Sequence, residues 1–142
     1  NFLKALGITD QQRDAVVPLP ATRELIDYRM AACTDPERYH IGAAAVLVAS
    51  EGQNLETLGE EARHTILGRV YGLDDNDLLF FSVHQKEDVA HVSQGLDLVA
   101  DLCTTETMQK EALFAVNHTC RLFYGMYEGI YQTIGLTEPA DV

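Results

Sequence analysis

Basic residues are scarce in this chain. Ten Lys and Arg stand against 22 Asp and Glu, giving a formal net charge of −12 and an isoelectric point near 4.6. A nucleic-acid binder needs a basic footprint, so that class is excluded, as is docking on an anionic membrane surface. Long apolar runs are missing too. The nearest, Gly42–Ala49, is far shorter than the ~18–20 residues of a membrane span. Cysteine is sparse and odd in number: Cys33, Cys103 and Cys120, with no CxxC. That excludes a disulfide scaffold and points to a reducing, cytoplasmic compartment, with each thiol expected as a small buried apolar group. No glycine-rich phosphate loop follows a strand, no nucleophile elbow occurs, and there is no period-two alternation, internal repeat or low-complexity tract. The chain also lacks an initiating Met. Its first residues, after Asn1, read as the last turn of a helix stopped by Gly7, so a further N-terminal portion is expected.

What is present is a helical pattern. The 142 residues, 46% apolar, suffice for one domain with a real core. Thr9 or Asp10 caps a short turn, and Pro20 suits the first position of a helix that carries Leu25, Tyr28 and Met30 or Ala32 towards the core. Asp35 is expected as the N-cap of the next helix, with Pro36 at its first position. That helix is expected to run from about Glu37 to Tyr71 as one element. Its inner stripe is Ile41, Ala44, Val48, Glu51, Leu55, Leu58, Ala62 and Ile66, in steps of three and four. Gly72 ends it in a left-handed cap, and the Asp74–Asp77 run caps the helix after it. The run does not match a calcium-binding loop, which needs alternating acids, a glycine and a terminal Glu. A last helix, about Met108–Ile134, carries Leu113, Phe114, Phe123, Tyr124, Tyr127 and Tyr131 on more than one face, as a central helix would.

Two stretches carry chemistry. Phe80–Leu102 holds His84, Asp88 and His91 at spacing i, i+4 and i+7, which stacks all three on one helical face. Gly95, on the same face, leaves room for a ligand or a facing backbone. Glu51 interrupts the apolar stripe of the preceding helix. Unpaired burial of its carboxylate costs several kcal/mol, so it must be protonated, ion-paired or metal-bound. Two imidazoles and two carboxylates without a thiolate suit iron or manganese at least as well as zinc; a purely structural polar network is the other alternative. Helix bundles that hold two irons draw inward carboxylates and histidines from facing helices. Around this set, Glu87 is a neighbour of the metal face that solvent can also claim. His118 and Glu128 are candidates to orient a ligand by hydrogen bonds, against a satisfied core or edge role, and Tyr124, Tyr127 and Tyr131 are candidates to line a pocket, against core packing. His64 reads as a surface residue, and His40 is ambiguous.

The segment His84-x-x-x-Asp88-x-x-His91, preceded by Tyr71-Gly-Leu and an Asp-rich cap, resembles the haem-oxygenase-like di-iron oxidases. The stretch AVLVASEGQNLETLGEEARHTIL resembles that fold's preceding long helix, in which a Glu in an A-x-x-x-E context binds iron; Glu51 matches it. The resemblance implies an all-α, haem-oxygenase-like bundle of which this is the C-terminal part. It implies two iron ions (manganese is the alternative) held by Glu51, His84, Asp88 and His91, with further ligands upstream. It also implies a non-haem oxidase that uses dioxygen on a small organic substrate such as an amine, amino acid or fatty acid. Expected partners are that substrate and dioxygen, with neither nucleic acid nor membrane; a homodimer is compatible with the pattern. The rivals are a metal-independent enzyme of the same fold, resembling thiaminase-II or pyrroloquinoline-quinone synthase, a true haem oxygenase with its haem-binding His upstream, and a non-catalytic helical metal-binding or interaction protein.

Overall fold

The computed structural model describes residues 1–53, 55 and 61–135. Among them every regular element is helical: α1 (Phe2–Ala5), α2 (Asp10–Asp14), α3 (Pro20–Thr34), α4 (Tyr39–Ala43), a π-helical segment Ala44–Ser50, α5 (Arg63–Tyr71), α6 (Leu79–Leu102) and α7 (Glu106–Ile134). The all-α expectation holds, and among the described residues no helix is long and apolar enough to cross a membrane.

Local chemistry sets several of the ends. Thr9 and Gln12 form a reciprocal capping box on α2, and Thr105 accepts the Met108 N–H at the start of α7. Pro20 opens α3, where its missing N–H costs nothing. Gly72 and Gly135 close α5 and α7 at φ near +66° and +67°, a conformation in which a Cβ would be strained. Two caps differ from expectation. Asp35 closes α3 and turns its carboxylate onto the Glu37 N–H, so it shapes the turn before α4. Asp74 accepts the Asp77 N–H in the same way, one turn ahead of α6.

The expected single helix over residues 37–71 is interrupted. It widens into the π-helical segment, and beyond Ser50 the chain tightens into short turns, Gln53 N–H to Ser50 O and Leu55 N–H to Gly52 O. Residues 53, 55, 61 and 62 are not helical; Leu58 lies outside the described residues, and Ile66 is exposed on α5.

The π-helical segment lies at the centre. It runs antiparallel to α6, since Leu47 meets Gly95 while Glu51 meets His91. It runs parallel to α7, as His40 meets Glu111 and Gln53 meets Cys120. α3 packs antiparallel on α7, where Tyr28 touches His118 and Ala21 approaches Gly129, and its C-terminal end also lies against α4 at Gly42. The buried core is built of small residues: Ala32, Ala44, Ala45, Cys103, Ala112 and Ala115, flanked by Tyr28, Ile41, Val46, Val99, Met108 and Val116. The α7 stripe that enters it is Ala112, Ala115, Thr119 and Leu122, whereas Leu113, Phe114, Tyr124 and Tyr127 are exposed. α7 is therefore central, but through its small side chains, which let helix backbones approach closely. Cys33 and Cys120 are exposed, and only Cys103 is buried as expected.

Candidate metal centre

The close approach at the centre of the fold positions three chemical groups. Glu51 follows the last residue of the π-helical segment and faces α6. There Asp88 and His91 stand one turn apart, and one ligand atom from each of the three lies within 4.8 Å of the others. Donors about 2.0–2.2 Å from a first-row ion such as zinc are at most about 4.4 Å apart, so this is a slightly open form of a metal site. His91 Nδ1 stands 2.9 Å from Glu51 Oε2 and 3.9 Å from Asp88 Oδ1. Asp88 is 1% exposed, Glu51 25% and His91 45%, so the group has a sealed side and an open side.

The fit to a cation can be tested on Glu51. Its Oε2 is shielded from solvent and has no hydrogen-bond partner; the nearby His91 nitrogen is close without the geometry of a hydrogen bond. Beside a neutral His91 imidazole, a shielded carboxylate oxygen with no donor is costly by about 1–3 kcal/mol, and a cation between the three side chains removes that cost. Two carboxylates and an imidazole form the oxygen-rich donor set that iron and manganese accept.

His84 does not join this group of three. It lies one turn before Asp88 on α6, its ring tilted by 33° against Phe80 at 4.0 Å between ring centres. Its Nδ1 is 2.7 Å from the Phe80 carbonyl oxygen. A carbonyl only accepts, so Nδ1 carries the proton and donates it, which leaves the Nε2 lone pair for an ion. Metal-binding histidines are oriented by this kind of second hydrogen bond.

The remaining candidates stand apart from the cluster. Glu87 is exposed. His118 is wedged between Tyr28 (4.6 Å, edge-on) and Phe114 (5.4 Å, stacked). Tyr124, Tyr127 and Glu128 are exposed on the C-terminal half of α7, along a shallow depression shared with Tyr131, and Glu128 accepts a hydrogen bond from Gln132. His64 is half-buried rather than fully on the surface, with its Nδ1 shielded.

A second polar cluster was not foreseen from the sequence. His40, 3% exposed, places Nε2 2.8 Å from Glu111 Oε2, while Arg38 Nη2 reaches Glu111 Oε1 at 3.0 Å. The His40 hydrogen bond, seconded by the Arg38 charge, holds the Glu111 carboxyl below the usual carboxylate range. Arg38 and Glu111 border a cavity of about 440 Å³ with Tyr28, Ala32, Ile41 and Phe114. The partners lie 71 and 73 residues apart in the chain, and no local signal links them.

Comparison with known proteins bears on the metal. A family model described as iron-containing redox enzyme matches residues 1–124, which include Glu51, His84, Asp88 and His91. A protein named 4-aminobenzoate synthase from Nitrosomonas europaea is 30% identical over 132 residues, covering 92% of this chain and 52% of that protein. The chain thus spans about half the length of this relative. No solved structure gives a significant match. With the carboxylates and the imidazole converging where two helices meet, and with that family spanning them, the chain belongs to the haem-oxygenase-like family of iron-containing redox enzymes.

Proposed function

We propose that the chain carries the iron site of a non-haem di-iron oxidase that uses dioxygen to oxidise a small organic substrate. The observation that carries this reading is the convergence of the solvent-shielded Glu51 Oε2 with His91 Nδ1 and Asp88. Glu51, Asp88 and His91 hold an ion by the atoms that converge. His84 offers Nε2 from the adjacent turn, its ring fixed by the Phe80 carbonyl. The two carboxylates offset the charge of ferrous iron and keep it bound at neutral pH. When bound, iron supplies the electrons with which dioxygen is reduced. Asp88, sealed at 1% exposure, anchors the dry side of the site. Leu47 and Val48, which pack against Gly95 one turn away, keep that side apolar. Two ions want roughly six protein ligands, and these four provide the larger part. The relative's name makes a small aromatic amine a first candidate for the product.

The test is iron content after anaerobic loading, followed by oxygen uptake. The protein is expected to bind ferrous iron and then consume oxygen. Iron binding without any oxygen uptake, across candidate amines and aromatic acids, refutes the oxidase reading. Unchanged iron content in both His84→Ala and His91→Ala refutes the ligand assignment.

A further inference from the structure

Glu51 is brought to His91 by a device that lies outside the ligands. The π-helical segment Ala44–Ser50 ends immediately before Glu51. A π turn closes its hydrogen bonds five residues back rather than four, which amounts to one surplus residue in an α-helix. One surplus residue turns everything after it by about 100° around the axis. Relative to α4, which leads into the segment, Glu51 is therefore turned by about that angle from where an uninterrupted α-helix would carry it. The Ser50 hydroxyl, 5% exposed as a residue, donates to the Ala45 carbonyl oxygen at 2.7 Å. That carbonyl is five residues back, the span of a π turn, so the side chain pins the wide geometry just where it must persist.

The second part of the device is on α6. A Cβ at Gly95 would stand 2.7 Å from Leu47 Cβ, 3.3 Å from the Leu47 carbonyl carbon and 3.4 Å from Val48 Cγ2. Only glycine lets α6 lie this close to the π-helical segment. The two elements run antiparallel, so four residues on from Leu47 and four back from Gly95 come Glu51 and His91. The tight contact sits one turn from the ligand pair and sets its spacing.

We propose that Ser50 and Gly95 are positioning residues for the Glu51–Asp88–His91 cluster, the first holding the wide turn and the second the closeness of α6. This rests on the reading of those three side chains as metal ligands. The magnitudes favour a large effect. Relief of the 2.7 Å clash to an ordinary contact moves the elements by roughly 0.7 Å or more, whereas coordination distances tolerate about ±0.2 Å.

Anaerobic titration with ferrous ion, and with cobaltous ion for its visible absorption, tests this on the full chain. The variants are Gly95→Ala, Ser50→Ala, His91→Ala and Gly125→Ala, whose Cβ meets nothing within 4 Å. Circular dichroism and the unfolding midpoint of the metal-free forms are measured alongside. Wild type and Gly125→Ala are expected to bind alike and His91→Ala to lose binding. Gly95→Ala and Ser50→Ala are expected to weaken binding by about 10–100-fold and to shift the cobalt absorption while remaining folded. Ser50→Ala removes one oxygen and adds no bulk, so it carries the test should Gly95→Ala fail to fold. If wild type binds no metal, or His91→Ala binds as wild type, the ligand reading itself falls. If those two behave as expected while folded Ser50→Ala and any folded Gly95→Ala match wild type in affinity and spectrum, the positioning role is overturned.

Discussion

Two glycines in helices should respond to the same substitution with opposite signs. A Cβ at Gly42 would stand 2.8 Å from the Ala32 carbonyl oxygen, 3.5 Å from its carbonyl carbon and 3.6 Å from Cys33 Cα. The first is roughly 0.7 Å inside an ordinary van der Waals contact, and all three neighbours are backbone, which cannot rotate aside. A Cβ at Gly125, in the interior of α7, meets nothing within 4 Å. Replacing Gly by Ala in a helix gains about 1 kcal/mol where the space is open. Forcing a methyl into a packed contact costs about 1–3 kcal/mol. Gly125→Ala should therefore stabilise by up to about 1 kcal/mol and raise the melting temperature by roughly 2–4 °C. Gly42→Ala should come out about 0–2 kcal/mol destabilised, because overpacking outweighs the same gain. Paired thermal and urea unfolding of the two variants and wild type measures both. A Gly42→Ala protein as stabilised as Gly125→Ala would show that α3 and α4 do not approach as closely as described.

Added ferrous or manganous ion should raise the melting temperature of wild type and not of Asp88→Asn. At 100 times the dissociation constant the gain is about 2.7 kcal/mol, and an equal shift in both proteins speaks against Asp88 as a ligand. Alkylation under native conditions should label Cys33 and Cys120 but leave Cys103, whose thiol burial and then Glu111 push upward; three labels on the intact mass before unfolding would contradict this. Because the folded Glu111 carboxyl titrates below its unfolded value, its contribution to stability is present above the ordinary carboxylate range and lost as pH falls through the lowered value. Unfolding midpoints from pH 7 down to pH 3 should therefore fall more steeply for wild type than for Glu111→Gln, and parallel curves would discount the His40 bond.

What the sequence made legible lay within single helices. The face shared by His84, Asp88 and His91 comes from helical spacing alone, although α6 starts at Leu79, after the acidic run expected to form its cap and first turn. Gly95 on that face meets a facing backbone, one of the two uses its position allowed. Glu51 stood out because a carboxylate broke an apolar stripe. The stripe itself was illegible beyond Ser50. Periodicity assumes 3.6 residues per turn throughout, and a π-helical segment changes that number without changing the residue types. The core was misjudged for a related reason. Size was taken as a sign of burial, whereas close helix contact selects Ala44, Ala45, Ala112 and Ala115 and leaves Phe114 and Tyr124 outside. The pairing of His40 with Glu111 joins residues 71 apart, and only the finished packing of α4 on α7 brings them together.

The unequal exposure of Asp88 and His91 has a kinetic meaning. On the proposed ligand reading, an ion between them would keep one flank against the protein and the other against water, and would leave past the imidazole without α6 and the π-helical segment separating. Its residence time is then governed by the breaking of individual ligand bonds. Global unfolding, which in small domains takes from under a second to days, does not set that clock. A chelator in solution should therefore strip the site while every helix stays folded, and the same protein should reload when iron returns.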